Sequence, residues 1–262
     1  MEITADNLLA IQSRLKYLLS ELDLFCQKYG IKYTLEGGTA LGASRHGDII
    51  PWDDDIDVRM DKKEYEKFCK AYEQNGSSTF FLQRHKSEHN YFKEFAKIRD
   101  LHSFIREDNL VTYSHNGFFV DIFVFENAYP SLVQIAHYLY RPLFSLSYKP
   151  LDKMKVLSFL ANCYYYFIQI FVFLFRGISR VFKAKTYSYT YGSNLNPYKL
   201  RYTNWMFEGD RKMKFGDKEY PVPYQIHDYL VAHYGTTYMT PPPEAARTPH
   251  HVRELVIDPI EQ

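Results

Sequence analysis

Four aspartates fall within five residues, Asp53-Asp54-Asp55-Ile56-Asp57, and the run is hemmed in by Ile49-Ile50-Pro51-Trp52 before it and Val58 after it. Few arrangements accommodate that pattern. Side chains alternate along a strand, so Asp55 and Asp57 share one face while Ile56 and Val58 share the other. The apolar flanks draw the segment toward a core, and the carboxylates resist it, because like charges repel and an unpaired buried charge is costly. A hard divalent cation resolves the conflict. Mg2+, or Mn2+, held by Asp55 and Asp57 would in turn grip substrate phosphates, with Asp53 as a supporting carboxylate beside them. Three other readings compete. Charge runs commonly form solvated loops, but the apolar flanks fit a loop poorly. Asp53, Asp55, Asp57 and Glu64 match positions 1, 3, 5 and 12 of an EF-hand loop, yet Val58 stands where that loop needs glycine. A site that has kept its carboxylates and lost its activity stays open.

The stretch before the acidic run adds a phosphate-binding element. Ile31 to Leu35 alternates like a half-buried strand and runs into Gly37-Gly38-Thr39, followed by a helical run. Backbone N–H groups at such a helix start can approach phosphate oxygens, and the helix dipole favours an anion there. Arg45 and His46 follow, as candidates to hold donor phosphate oxygens; a structural hydrogen bond is the alternative for His46.

Around this centre the chain reads as α+β. Leu8, Ile11, Leu15, Leu18, Leu22, Phe25 and Tyr29 form one apolar stripe, predicting a first helix with Asp6 as N-cap and Gly30 just beyond its end. Asp57 to Met60 reads as a strand end, and Asp61 with Glu64 as a capping box opening a helix to about Tyr72. Phe80–Leu82, Phe95–Ile98 and Phe118–Phe125 are strand candidates. Pro223 to Tyr234 reads as a helix with proline in its first turn. Strands and helices mix without the regular alternation of a doubly wound sheet. Asp121, inside Phe118-Phe119-Val120-Asp121-Ile122-Phe123, is costly there unless paired or on a metal, and is the candidate third ligand; pairing with a buried arginine is the alternative.

The pattern Gly37-Gly38-Thr39-x-Leu41-Gly42-x-x-Arg45-His46, then Ile50-Pro51-Trp52-Asp53-Asp54-Asp55-Ile56-Asp57, resembles the signature of the LicD family, which includes phosphocholine transferases and fukutin-like proteins. Phe95 to Asp100 and Phe119 to Phe123 are similar to its next blocks. Tyr220-Pro221-Val222-Pro223, Tyr234-Gly235 with Tyr238-Met239, Pro241-Pro242 and His250-His251 are similar to its closing ones. Gly235-Thr236-Thr237-Tyr238 lacks the acidic residue common there. The resemblance implies one nucleotidyltransferase-like domain over 1–262, with a mixed sheet and flanking helices. It also implies transfer of a phosphorylated alcohol from a CDP-linked donor, such as CDP-choline, to a hydroxyl of a glycan or lipid-linked glycan. A nucleotidyltransferase acting on an NTP, or a calcium-binding or inactive membrane-associated module, are the alternatives. If choline is the alcohol, Tyr198, Tyr202 and Trp205 are candidates for an aromatic cage, against core packing as the plainer role. His250 is a further substrate candidate. Asp121 or a nearby carboxylate is the candidate to accept the acceptor hydroxyl's proton.

Residues 131–185 change character: aromatic, helical in pattern and almost free of acids, they read as an insertion within the catalytic domain. Val156 to Phe175 holds 20 consecutive uncharged residues, enough for a helix to match a hydrocarbon core of roughly 30 Å at about 1.5 Å per residue. Basic residues flank it on both sides. Candidate site residues lie before and after it, so a single crossing would split the site across a membrane. Interfacial docking is therefore the expectation, with a buried helix as the alternative. Charge is balanced, with 32 Lys plus Arg against 31 Asp plus Glu, which gives no support to a nucleic-acid binder. Three dispersed cysteines and no apolar leader fit a cytoplasmic protein, peripheral at the inner face of the membrane.

Overall fold

The computed structural model describes residues 5–106, 113–193, 195–247 and 254–257. It is α+β, with a six-stranded mixed sheet at its centre. The chain runs through α1 (Ala5–Tyr29), β1 (Thr34–Leu35), α2 (Gly37–Arg45), β2 (Asp57–Asp61), α3 (Lys62–Asn75), β3 (Phe80–Gln83), β4 (Ala96–Asp100), β5 (Ser103–Arg106) and β6 (Phe119–Asn127). Two long helices follow, α4 (Pro130–Leu146) and α5 (Lys155–Val181). Then come β7 (Tyr187–Tyr189), β8 (Lys212–Phe215), β9 (Lys218–Pro221), α6 (Ile226–Tyr234) and β10 (Glu254–Ile257). The sheet order is β1-β2-β6-β4-β3, with β7 also on β6. Among the described residues only β2 and β6 pair in parallel.

Alternation along the strands separates two faces. Val58, Met60, Val120, Ile122 and Ile98 are all buried and make one of them. There α1 lays Ile11, Leu15, Leu18 and Leu22, with Phe68 of α3, into the same apolar cluster. The opposite face carries Asp57, Arg59, Asp121, Lys97 and Arg99. It is there that α2 begins.

Several local expectations shift. Gly30 does follow α1 with φ +61°, but Asp6 lies inside the helix rather than capping it. β1 is only two residues long. Asp61 occupies the N-cap position of α3 without a side-chain capping bond; Glu64 instead accepts from the Lys32 N–H at 2.9 Å. Pro223 precedes α6, which starts at Ile226. The EF-hand alternative is excluded, because positions 53–64 divide among a loop, a strand and a helix.

Residues 131–185 build α4, α5 and their links. Val133, Ala136, Tyr140 and Leu143 of α4 meet Ala161, Tyr165, Ile168 and Val172 of α5, together with Phe92 and Tyr191, in a second apolar cluster. Only one side of α5 is used in this way. Phe159, Phe167, Ile170, Phe173, Leu174 and Val181 are each more than half exposed. Among the described residues α5 is the one helix long and apolar enough to cross a membrane, and 22% of its most apolar stretch is buried. Arg176 turns inward to Glu126 at 3.1 Å, whereas Lys149, Lys153, Lys155, Arg180, Lys183 and Lys185 stay exposed.

α1 is tied to the sheet by a buried ion pair. Arg14 Nε lies 2.5 Å from Asp100 Oδ2, with both side chains at 3% exposure or less. Burial raises the Asp100 pKa, but hydrogen bonds from Arg14, Ser103 and the His102 N–H outweigh it, and the net shift is downward from 3.8. A carboxyl depressed in the folded state stabilises above its unfolded pKa and loses that contribution as pH falls below it. Asp100→Asn leaves the guanidinium buried without its counter-charge. It should cost on the order of 3 kcal/mol at pH 7, and less near pH 3. Urea unfolding at the two pH values measures this; an equal loss at both would contradict it.

Candidate active site

The parallel register of β2 and β6 sets Asp57 directly opposite Asp121, and the antiparallel register of β6 and β4 sets Asp121 opposite Lys97. The three side chains therefore form one row across adjacent strands. The Glu36 N–H donates to Asp57 O at 3.0 Å, which adds a fourth charged residue at the β1 end of the row. Asp55 lies just before β2, in extended chain rather than in the strand itself. The alternation nevertheless continues through it: Asp53, Asp55 and Asp57 are partly buried while Asp54, Ile56 and Val58 are fully buried. Gln12 of α1 pins this lead-in, donating to Asp53 O at 2.9 Å and Ile50 O at 3.3 Å.

The helix start sits against these carboxylates. Thr39 Oγ1 accepts the Asp57 N–H at 2.8 Å, locking α2 to β2. A Cβ on Gly38 would stand 3.1 Å from Asp53 Oδ2, and one on Gly37, at φ +50°, would stand 3.6 Å from Asp57 Oδ2 and 3.7 Å from the Tyr234 hydroxyl. The two glycines thus make room where carboxylates and the first turn of a helix meet. That turn has N–H groups without partners inside the helix, and a partial positive charge.

Burial, followed by charge crowding, sets the electrostatics. Burial, then Asp55, Asp121, Glu36 and Asp53, hold the Asp57 carboxyl well above the ordinary carboxylate range. Burial and then Asp55 push Asp53 up to about 8. Asp121 is raised by burial, against the pull of Lys97 and Lys93. Lys97 Nζ lies 3.1 Å from Asp121 Oδ1, so the charge that Asp121 meets is a buried lysine rather than the expected alternative of an arginine. An all-oxygen set of mutually repelling carboxylates has the chemistry of a Mg2+ or Mn2+ site. As placed, no three His, Cys, Asp or Glu side chains among the described residues converge into a ligating group.

Other candidates fall farther out. Arg45 and His46 close the opposite end of α2, eight residues from Gly37 and so roughly 12 Å along the axis. Arg45 donates to His46 Nε2 at 2.9 Å and to Tyr238 O at 3.0 Å, and lies over the Trp52 ring. His46 thus makes a structural hydrogen bond. Burial, followed by Arg45, lowers its pKa. Arg45 still faces the site through Tyr234, whose phenol feels both Arg45 and the carboxylates. The cage is not assembled. Tyr202 is 2% exposed among Phe125, Tyr189, Phe207 and Tyr229, Tyr198 and Trp205 are exposed, and among the described residues neither has a ring contact with it. His250 lies outside the described residues.

Three residues escaped the sequence reading. Glu36, 1% exposed, accepts from Tyr189 and Tyr229 hydroxyls at 2.6 and 2.7 Å, while Tyr229 takes the Gly37 N–H at 2.8 Å. Its Oε2 is buried without a hydrogen-bond partner. Lys97 and Tyr234 complete the ring of polar groups. Lys97 carried a visible signal, a cation alternating with Ala96 and Ile98 along a strand. Tyr234 had none beyond its block.

Residues 30–165 match the LicD/FKTN/FKRP nucleotidyltransferase domain. The chain is 28% identical to the lipopolysaccharide cholinephosphotransferase LicD of Haemophilus influenzae over 276 residues, taking in 91% of this chain and 95% of that protein. A stretch of 49 residues is 47% identical to the ribitol 5-phosphate transferase FKRP of Homo sapiens and of Mus musculus, 19% of this chain and 9% of those proteins. The matched domain ends inside α5.

Carboxyls with raised folded-state pKa values give up stability as pH climbs from their unfolded value, 3.8, toward their folded one. Asp57→Asn removes one charge from the crowd. With chelator present, the variant should be more stable than the parent by about 1–2 kcal/mol at pH 8 and by less at pH 5. Added Mg2+ should raise the melting temperature of the parent more than that of the variant. A variant less stable than its parent at pH 8 would refute the crowding.

Proposed function

The chain belongs to the LicD/FKTN/FKRP family, and on that premise we propose that it moves a phospho-alcohol, phosphocholine foremost, from a CDP-linked donor to a hydroxyl of a glycan or lipid-linked glycan. The observation that carries the reading is the meeting of Asp53 and Asp57 with the glycine-lined start of α2. One place then offers both carboxylates for a metal and helix N–H groups for phosphate oxygens.

In this reading the acceptor oxygen attacks the phosphorus that bears the alcohol, the bond to the CMP oxygen breaks, and CMP leaves. The acceptor's proton passes to a nearby carboxylate or to Asp121. Lys97 holds Asp121 in place. Arg45 supplies a cation for donor phosphate oxygens. Mg2+ or Mn2+ held by Asp55, Asp57 and Asp121 would neutralise phosphate charge and stabilise the in-line displacement. Asp57→Asn should then lower turnover on the order of a hundredfold or more. CMP release from CDP-choline, CDP-ribitol and CDP-glycerol, and pyrophosphate release from NTPs, are measured side by side. Near-normal turnover in the variant removes Asp57 from the mechanism, and pyrophosphate without CMP assigns a nucleotidyltransferase instead.

The outer face of α5 is, in the same proposal, a contact with the inner face of the membrane. Its apolar side chains are bare, and exposed lysines and Arg180 stand at both ends, an arrangement suited to lying along an anionic surface. The full chain should float with anionic liposomes. Phe159→Asp combined with Phe173→Asp, both on the bare face, should abolish flotation without unfolding the protein. Flotation that survives both changes, or a parent that never floats, counts against docking.

A further inference from the structure

Two guanidiniums from distant parts of the chain converge on one indole. Arg45, the last residue of α2, lies 5.8 Å from the Trp52 ring centroid, and Arg247, just past the short turn Glu244–Ala246, lies 5.0 Å from it. Trp52 immediately precedes Asp53, so the pair stands at the rim of the acidic lead-in. Side chains on a helix tilt toward its N-terminus, so Arg45 leans from the end of α2 back toward the glycines.

The two cations have no acid to hold them there. Arg45 donates to His46 Nε2 at 2.9 Å and to Tyr238 O at 3.0 Å, and Arg247 donates to Pro242 O at 2.9 Å. All three acceptors are uncharged. Among the described residues neither guanidinium makes an ion pair. Burial lowers the Arg45 pKa, Tyr234 raises it, and Arg247 lowers it again, so the two charges feel each other. Elsewhere the fold gives its arginines carboxylates: Arg14 has Asp100, Arg84 has Glu73 and Arg176 has Glu126. A guanidinium carries five N–H donors, so these few bonds leave most of them unused. An indole supports a guanidinium through its flat face, which keeps the N–H fork at the edge for a planar or tetrahedral anion.

We propose that Arg45 and Arg247 together grip a phosphate group, the one that stays on the nucleoside when the donor is cleaved. This makes Arg247 a substrate-binding residue. Identifying the group as the nucleoside's phosphate rests on the transferase reading; the binding of phosphate by the pair does not. A diphosphate donor presents two phosphates with different fates. The one under attack belongs at the carboxylates and the start of α2. As its bond to the bridging oxygen breaks, that oxygen leaves with CMP and keeps the electron pair. Two guanidiniums meet the new charge without a proton being gained or lost.

The test keeps the two parts apart. In chelator the carboxylate row repels anions, so calorimetric titration of the full-length protein with pyrophosphate, CMP and cytidine reads the cations alone. CMP should bind about tenfold or more tightly than cytidine, and Arg247→Gln should weaken CMP and pyrophosphate about tenfold while leaving cytidine unchanged. Arg247→Lys keeps the charge over Trp52 but loses the fork, and should fall between the two; it carries the test if the glutamine variant does not fold. CMP bound no tighter than cytidine, or CMP and pyrophosphate affinities unchanged in the variants, would overturn the proposal. The second arm follows CMP release from CDP-choline, CDP-ribitol and CDP-glycerol with Mg2+, where kcat/KM should fall at least as far as CMP affinity. Pyrophosphate binding that depends on Arg247, with no CMP released from any of these donors, keeps the phosphate site and sinks the transferase reading instead.

Discussion

The structure turns on a conflict of like charges held in place by β-sheet register. Asp57 and Asp121 face each other across β2 and β6 because those strands pair in parallel at that register. Asp53 and Asp55 lean in from the preceding loop. Charged groups so close together would normally drift apart into water. Here the backbone ladder, the Thr39 bond to the Asp57 N–H, and Gln12 on the incoming loop forbid it. Such strain at a site is what binding a cationic or polarised partner would relieve. Much of the surrounding architecture serves to hold the row rather than to neutralise it.

The glycines illustrate how closely sequence and site are tied. Gly37 and Gly38 are usually read as freedom for the backbone to approach a phosphate. In this chain they also make space for the protein's own carboxylates, and a side chain on Gly38 would press against Asp53. Behind them, Glu36 is fixed by Tyr189 and Tyr229 from segments more than 150 residues downstream. The tail thus completes the site from behind, through hydroxyls rather than through groups aimed at a substrate.

Local periodicity and the acidic run made α1, α2, β2 and the approximate course of β3, β4 and β6 legible, because each rests on neighbours in sequence. Asp55 and Asp57 could be paired from alternation alone. What could not be read was anything set by pairing between distant segments. The Asp121–Lys97 contact depends on the register of β4 against β6. The burial of Tyr202 depends on α6 and β7 meeting over β6. Arg45 stands at the far end of α2 from the glycines, since adjacency in sequence is not adjacency in space once nine residues wind into a helix. The bare side of α5 was legible as an apolar run, but which half of it would be covered depended on α4.

The order in which these parts leave the ribosome has its own consequence. α5 is synthesised before Tyr189, Tyr229 and Tyr234, so its apolar face is available while the acidic centre still lacks the hydroxyls that fix Glu36 and the phenol beside Gly37. Parallel pairing across more than 60 residues is also slow to form, since long loops must close before it is rewarded. The bare side of α5 is therefore made before the centre has all of its parts.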